Sequence, residues 1–424
     1  MAIINGKYKE YKLENGLVVA LQNTPTQTVA AKLRINFGSS HEKEGEEGLA
    51  HYLEHCLVTG GSKKYDPNLA DEIRCSFGYF NAATNIGRTF FIGQMLSEDL
   101  VSWMDYVSDH VLRPRFDLER INGERGRVLR EISDEKSSPM YQGGLLFDKL
   151  FYRGHPKEGN NIGKEDVVSN ASQEVMSKFH SVGYHPNNMD LIIVGGLPGN
   201  VEDIVKNYFG EASSGRNTRI IFPELGPLTS KDVLRIHAPE MLNRDSPDES
   251  SAHVFLYFSG PANGDEDEYA TKIMNHVLGG DTNSFLFQNV GLKKGLAYRT
   301  GSTSNGDYNC GEIGIQATVH SRKIDESIET IFEEIDRMKT QKLTDERINR
   351  VKKMIKYSFA KTFESNDGHI SAIEAKLDEG LVPSEIIAHY NEVTPESVME
   401  AANKYLPDKE DGKYVLYIRS PFEE

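Results

Sequence analysis

Two halves of the chain carry the same pattern, and this internal repeat limits the fold more than any other feature. A strand-like run, a turn with Gly and Ser, an acidic stretch and a helix occupy residues 29–58, and the same order returns about 220 positions later, in 251–278. The tetrapeptide ERIN occurs at 119–122 and at 346–349, an offset of 227. A helix followed by a strand recurs near the end of each half at an offset of 223. Three matches in one order indicate a tandem duplication of a domain of roughly 200 residues.

Within each half, strand-like segments lie next to one another along the chain and do not alternate strictly with helices. This order is typical of the α+β class with a largely antiparallel sheet. The join lies in a segment rich in Gly, Ser and Pro, as linkers are. We therefore predict two tandemly duplicated domains, at 1–212 and 233–424, with a linker at 213–232. Each domain should be a largely antiparallel sheet packed with helices.

Composition narrows the class of protein. The 424-residue chain has 48 Lys and Arg against 64 Asp and Glu, a net charge of −16. This charge disfavours nucleic acid as a partner, because phosphate binding needs a positive surface. No window reaches the roughly 18 uninterrupted apolar residues of a membrane span. The first twenty residues carry charges where a signal peptide is apolar, so we expect a cytoplasmic protein without membrane segments.

The stretch EEGLAHYLEHCLVTGG, residues 46–61, contains two histidines four residues apart. On a helix at about 100° per residue, His51, Glu54 and His55 gather on one side. The opposite side is apolar and would dock the helix; it carries Leu49, Leu53, Cys56 and Leu57. Two such histidines can hold one Zn²⁺, and a neighbouring carboxylate can accept a proton from water there. The alternative is a solvated helix face that happens to carry two histidines.

The second repeat acts as an internal control for this motif. At the equivalent positions it has Thr271, Met274 and Asn275. The fold unit therefore does not require His, Glu and His at these places. Their presence in only one copy favours a function located in the first half, and we predict a metal site there.

A catalytic zinc usually has three protein ligands, so two histidines are too few. Glu124 and Glu131 of the first half are seven residues apart, on one face of a predicted helix. In the second copy the same positions hold Val351 and Ser358. Both carboxylates thus occur only in the copy that also carries the two histidines. Their spacing alone leaves open which of them would bind the metal, or whether they form only a solvated acidic face.

The motif H-x-x-E-H, its context EEGLAHYLEH, a Glu 76 residues past the second His and a degenerate second copy resemble the pitrilysin/insulinase metallopeptidases, which are inverzincins. The resemblance covers essentially the whole chain. It implies His51, His55 and Glu131 as the ligands of one Zn²⁺ per chain. It also implies Glu54 as the general base and Glu124 as a carboxylate that supports the metal site from behind.

Two further segments resemble features of this family. In FGYFNAATNIGRTFF, the pair Asn81 and Ala82 matches an edge strand that receives the peptide substrate as an added strand. Strand addition recognises backbone groups, which suits a peptidase of broad specificity. In GLAYRTGSTS, Tyr298 matches a tyrosine of the C-terminal half that reaches across to the catalytic domain. The alternatives are an ordinary turn before a strand and a tyrosine that only packs.

The chain departs from the family at one position that bears on its assembly. Relatives that work alone usually carry an Arg seven residues before that tyrosine, where this chain has Gly291. A glycine cannot hold a substrate carbonyl, so the C-terminal half is incomplete as a substrate clamp. We therefore predict a heterodimer with a related subunit that lacks the zinc motif. The alternative is a homodimer in which Lys293 or Lys294 replaces the Arg.

Together, these features predict a zinc endopeptidase that hydrolyses unfolded peptides or small proteins in a chamber between subunits. Two alternatives come from other classes. One is a non-proteolytic structural subunit of the same fold, which would not need a general base such as Glu54. The other is a metal-binding peptide carrier without turnover.

Overall fold

The structure is a computed structural model that describes residues 8–159, 162–410 and 412–423. Eleven strands are present in these ranges. They are β1 (Tyr8–Lys12), β2 (Val18–Asn23), β3 (Thr28–Ile35), β4 (Tyr79–Thr84), β5 (Thr89–Leu96), β6 (Met189–Gly195), β7 (Asp232–His237), β8 (Ser251–Gly260), β9 (Ala297–Asp307), β10 (Cys310–His320) and β11 (Val415–Ser420).

Fourteen α-helices lie in the same described ranges. They are α1 (Leu49–Thr59), α2 (Pro67–Ser76), α3 (Leu100–Leu112), α4 (Leu118–Ser137), α5 (Pro139–Phe151), α6 (Glu165–Asn170), α7 (Gln173–Gly183), α8 (Val201–Phe209), α9 (Glu268–Asn275), α10 (Ile324–Thr340), α11 (Asp345–Thr362), α12 (Asn366–Glu379), α13 (Pro383–Glu392) and α14 (Pro395–Tyr405). Two π-helical segments, His276–Gly280 and Phe287–Lys293, follow α9. None of the described helices has both the length and the apolar character needed to cross a membrane.

The strands form two sheets with the same topology. The first has the order β1-β2-β6-β3-β5-β4 and the second the order β7-β11-β8-β10-β9. Once β1 is set aside, the two orders match strand for strand. One pair in each sheet is parallel, β2 with β6 and β7 with β11, and the other pairs are antiparallel. The predicted α+β fold, with two duplicated and largely antiparallel sheets, is confirmed.

Contacts divide the chain into two compact units, and each unit contains a segment from the other half of the sequence. The first unit is the chain up to Ser138 with Gly159–Ile220 and Ala360–Pro383. The second unit is Pro139–Glu158 with Ile221–Phe359 and the chain from Ser384 onwards. Helix α12 therefore lies in the same unit as the first sheet, and α5 lies in the same unit as the second sheet.

Helix α12 covers the face of the first sheet opposite the helix that carries the histidines. Its Ile370 and Ile373 pack on a small apolar cluster contributed by three strands, namely Ala20, Ala30, Ile192 and Val194. Beside this cluster the buried Arg34 donates to Asp190 at 2.9 Å and to both carboxylate oxygens of Asp378 at 3.1 Å. A buried guanidinium is stable only when it is paired and hydrogen-bonded. Asp378 lies on α12 and Asp190 on β6, so the bonds to Asp378 fix the position of α12 on the sheet.

Helix α5 takes the equivalent place on the second sheet. Its Phe151 lies in a buried cluster with Cys310 and Val415. Gly143 faces Tyr417. A Cβ atom added at Gly143 would lie 1.8 Å from the Tyr417 hydroxyl oxygen and would overlap it. The glycine thus permits the helix to approach the sheet closely.

Candidate metal centre

Helix α1 is held by its apolar side, as the sequence predicts. The side chains of that side are 0–2% exposed; they are Leu49, Leu53, Cys56 and Leu57. The helix begins after Gly48, whose φ of +101° is favourable only for glycine. The half-buried carboxylate of Glu42 accepts the N–H groups of Gly48 and Ala50 at 2.9 and 2.8 Å, which satisfies donors that a helix start leaves unpaired. Burial raises the pKa of Glu42 to about 7, against the effect of these two donors.

Helix α4 brings the second set of acidic residues to α1. Asp117 caps this helix by accepting the N–H groups of Glu119 and Arg120 at 3.1 and 3.3 Å. The Tyr52 hydroxyl donates to the carbonyl of Ile121 at 2.8 Å, and this bond joins the two helices within the core. The polar face of α4 is thereby directed to the histidine face of α1.

The structure places three of the predicted residues around one point. His51 Nε2 is 3.2 Å from His55 Nε2, and Glu131 Oε2 is 3.7 Å from the former and 3.6 Å from the latter. Each of the three residues offers one ligand atom, and these are the groups in the described chain that could share a metal ion. Glu131 keeps 42% of its side chain exposed, whereas both histidines are mostly covered.

These donor atoms fit Zn²⁺. Tetrahedral zinc with bonds of about 2.0–2.2 Å separates its ligand atoms by roughly 3.4 Å, and the three observed separations lie on either side of that value. Burial, followed by the neighbouring His55, lowers the pKa of His51 to about 4, so this ring is neutral near pH 7. A neutral imidazole has a lone pair to give to a metal.

Glu124 contacts the outer side of His55. Its Oε2 lies 2.9 Å from His55 Nδ1. Burial alone would lower the pKa of His55, but the hydrogen bond with Glu124 and the nearby carboxylates outweigh it and raise this pKa. A carboxylate on the far nitrogen fixes the tautomer of a metal-binding histidine and directs Nε2 to the metal. The Nδ1 atom of His51 is buried and has no such partner among the described residues.

Glu54 lies beside the metal-ligand group and is 8% exposed. Its Oε2 accepts the Thr84 hydroxyl at 2.9 Å. Burial raises the pKa of Glu54, and the Thr84 hydrogen bond partly opposes this rise. A buried carboxylate with a raised pKa suits a group that both accepts and returns a proton.

A cleft of about 550 Å³ connects these residues with the edge of the first sheet. Its walls are one side of α1, strand β4, Arg74 near the end of α2 and the first half of α4. Asn81 and Ala82 lie on β4, which pairs with β5 on one side and is the last strand of the sheet. An edge strand offers unpaired backbone groups to an incoming peptide.

Tyr298 and Gly291 lie in the second unit. Tyr298 is near the start of β9, the edge strand of that sheet, and its side chain is 84% exposed. A Cβ at Gly291 would meet only Ala297 O, at 3.8 Å, which is an ordinary van der Waals contact, so the backbone there can carry a side chain. Of the two alternative cations, Lys294 contacts Glu333 at 2.6 Å and Thr330 at 3.0 Å, whereas Lys293 is exposed.

In the second unit, hydrogen bonds between a helix and the edge strand take the place of the metal-ligand group. At the position of His55, Asn275 Nδ2 donates to the carbonyl of Ser302 on β9 at 3.3 Å, and the Ser302 hydroxyl donates to the Asn275 carbonyl at 2.9 Å. Gly279 allows this contact, because a Cβ there would be 2.5 Å from Ser302 N. Helix and edge strand thus bond to each other at the place where the first unit has its cleft.

Several residues that line the cleft were not among the predicted site residues, and three of them bear on the polar chemistry of the cleft. They are Thr84, Arg74 and Arg127, and they lie on β4, α2 and α4. No pattern in the sequence connects them to the histidines, because the folded chain alone brings these elements together. Only Thr84 could have been placed near the site from the sequence, because it lies three residues after Asn81 in the same predicted strand.

The chain is similar in fold and in sequence to known proteases. Its fold is similar to that of solved proteases. The match to a protease from Helicobacter pylori covers 98% of this chain and 100% of that protein, with a TM-score of 0.82 at 20% identity. The first half of the periplasmic protease PqqL from Escherichia coli covers 98% and 92%, with a TM-score of 0.82 at 18% identity. In sequence, the uncharacterised zinc protease YmxG of Bacillus subtilis is 26% identical over 418 residues, which are 97% of this chain and 98% of that protein.

Two models of one family together match most of the sequence. The insulinase model, of peptidase family M16, matches residues 17–156, and the model of the M16 inactive domain matches residues 170–355. The chain belongs to the insulinase family of peptidases, family M16. The histidine motif lies within the first match, and Gly291 and Tyr298 lie within the second.

Proposed function

We propose that this chain is a zinc-dependent endopeptidase that hydrolyses unfolded peptides or small proteins. One observation carries the proposal: three ligand atoms, from His51, His55 and Glu131, lie within 4.8 Å of one another, and the two histidines line a cleft that also contains a buried carboxylate and a free sheet edge. Relatives of the chain are named as zinc proteases, which supports the same interpretation. A structural subunit of the same fold would need neither the ligands nor the carboxylate.

In this proposal His51, His55 and Glu131 hold the metal, and Glu124 orients His55 by its hydrogen bond. Zinc, when bound, polarises the scissile carbonyl and makes water more acidic. Glu54 takes a proton from the attacking water and later gives it to the leaving amine. Thr84 keeps the Glu54 carboxylate in one orientation throughout, because its hydroxyl donates to Oε2 at 2.9 Å.

Strand β4 would hold the substrate. A peptide that pairs with β4 as an additional strand offers its backbone groups to Asn81 and Ala82. Its main chain then runs along a cleft that also contains His51, Glu54 and His55. Such recognition requires an extended chain, so unfolded peptides are better substrates than folded proteins. A cytoplasmic location remains our expectation for this activity.

Metal removal tests the proposed function. We expect the zinc-loaded protein to cleave casein or a mixed peptide library, to stop cleaving after chelation and to recover when Zn²⁺ is returned. Zinc content should be measured on the same samples by atomic absorption, with one ion per chain expected. One bound zinc without cleavage of any peptide would instead favour a peptide carrier, and a chain that binds no zinc would favour a structural subunit.

We also propose that the active particle is a heterodimer, because the chain offers Tyr298 but has Gly291 where an Arg is expected. The missing cation removes charged hydrogen bonds to the substrate, each worth about 1.5–3 kcal/mol. A related subunit without the zinc motif, but with the Arg and the Tyr, would complete the site. In a homodimer, Lys294 would have to leave its contact with Glu333 to reach a substrate, whereas an Arg at position 291 would not.

Activity should therefore be low for the purified chain and at least about tenfold higher after mixing with such a subunit, in line with one lost charged hydrogen bond. Gly291→Arg should raise the activity of the chain alone. Leu292→Arg is the matched control, since Leu292 is 64% exposed and the same charge is then one position away. Full activity of the chain alone, unchanged by any partner or by Gly291→Arg, would contradict the heterodimer.

A further inference from the structure

Two arginines line the cleft without a part in the chemistry described above. Arg74 comes from α2 and Arg127 from α4, and both contribute to the walls that contain His55 and strand β4. Peptide hydrolysis as proposed needs two histidines, carboxylates and a strand edge. These two positive side chains are therefore available for a role other than the proposed chemistry.

Arg74 is held in place by its surroundings. Its guanidinium donates to the carbonyl of Val58 at 3.3 Å and to Asp71 Oδ1 at 2.8 Å. These two bonds engage two of the five N–H groups of an arginine. Its side chain is 24% exposed. The group is thus a fixed donor at the cleft wall and loses little freedom when it binds a ligand.

Arg127 is less restrained. Its side chain is 57% exposed, and its contact with Glu124 Oε1 is long, at 3.4 Å. The other oxygen of Glu124 is engaged by His55 at 2.9 Å. Because the ion pair of Arg127 is weak and half exposed, the guanidinium can turn to a ligand at small cost.

Both arginines lie close to the place of reaction. Val58, which Arg74 contacts, is three residues after His55, about 4.5 Å along the helix axis. Arg127 is one turn from Glu124 on α4. Both arginines line the same cleft as His51, Glu54 and His55, along which the proposed substrate would run.

We propose that Arg74 and Arg127 bind a carboxylate of the substrate close to the scissile bond, so that the preferred substrates are peptides with an acidic residue there. This inference rests on the proposed peptidase function. Arginine and carboxylate form the strongest of the common charged hydrogen bonds, and two guanidiniums can bind both oxygens. Surface charges further away than about 10 Å are screened by salt. The two acidic side chains that line the cleft, Glu54 and Glu124, are already bonded to Thr84 and His55.

Peptide binding to the full-length, zinc-loaded Glu54→Gln protein tests the proposal without turnover. The probes are alanine-based peptides, acetylated and amidated, with one central Glu, Gln or Lys, and a fourth copy of the Gln peptide with a free C-terminus. Each competes with one fluorescent peptide. We expect the Glu peptide to bind about tenfold more tightly than the Gln peptide, as one charged hydrogen bond provides. Tighter binding of the free C-terminus would assign the carboxylate to the end of the chain.

Variants separate recognition from a structural role. Arg127→Gln should remove most of the preference for Glu, and Arg127→Glu should turn it into a preference for Lys. Arg130→Gln is the matched control, because Arg130 is exposed on the same helix and does not line the cleft. Equal binding of the Glu and Gln peptides, or a preference that survives both Arg127 variants, would overturn the inference.

Cleavage of the same peptides by the unmodified protein distinguishes the two proposals. An active enzyme that shows no preference for Glu would contradict the role of the arginines and leave the peptidase function intact. Carboxylate-dependent binding without cleavage of any peptide would support the arginine site and contradict the peptidase function.

Discussion

Glu54→Gln should abolish peptide hydrolysis while the zinc content and the fold stay unchanged. The amide has nearly the shape of the carboxylate and can still accept the Thr84 hydroxyl with its oxygen. It cannot accept a proton from water, and the loss of a general base typically lowers a rate by about 10²–10⁴-fold. Initial rates on a fluorogenic peptide, with zinc content and circular dichroism of the same preparation, measure the three quantities.

Glu44→Gln provides the control for this variant. Glu44 is exposed in the acidic stretch before α1, so the same chemical change there should leave the rate unchanged. A homogeneous Glu54→Gln protein with near-normal turnover would show that another group accepts the proton. A variant that also loses zinc would show that Glu54 acts as a ligand and not as a base.

Glu131→Gln should reduce zinc affinity by more than about tenfold, since even the loss of a supporting residue behind a ligand costs roughly 10–100-fold. The Oε2 atom of Glu131 lies 3.6–3.7 Å from both histidine nitrogens, which is the separation of two ligands on one ion. An amide is a poor zinc ligand, and the carboxylate is exposed enough that its loss should not disturb the core. Zinc competition with a chromogenic chelator gives the affinity directly.

Two comparisons sharpen this second experiment. Ser358→Glu, at the equivalent place in the second copy, should create no zinc site, because Asn275 there bonds to Ser302 instead of presenting a ligand. Glu124→Gln should weaken zinc binding less than Glu131→Gln, since Glu124 contacts His55 Nδ1 and lies behind the ligand. The reverse order of the two glutamates would exchange their roles.

The repeat made much of the fold predictable from sequence. Matching segments in one order imply matching domains, and the two sheets do share one strand order. The spacing of two histidines on α1 predicted that they face one point, because helix periodicity fixes side-chain direction locally. The position of Glu131 near them required the resemblance to a family, since periodicity does not tell which helix lies opposite.

Other features depend on contacts that no local pattern encodes. An amphipathic helix must bury one face, but its sequence does not specify which sheet it covers, and so the places of α5 and α12 were not predicted. The hydrogen bond from Thr84 to Glu54 connects a hairpin with a helix 30 residues away. The positions of Arg74 and Arg127 in the cleft likewise follow from packing of α2 and α4 against α1.

The place of α12 has a consequence for biosynthesis. A ribosome delivers β6, the last strand of the first sheet, by residue 195 and α8 by residue 209, but the helix that covers the outer face of this sheet begins only at residue 366. Until then the apolar side chains of Ala20, Ala30, Ile192 and Val194 lack their cover, as in other nascent chains that wait for a distant segment. The unit with the histidine motif therefore matures late, when most of the polypeptide has already been translated, and nascent chains are exposed to aggregation or chaperone capture during that interval.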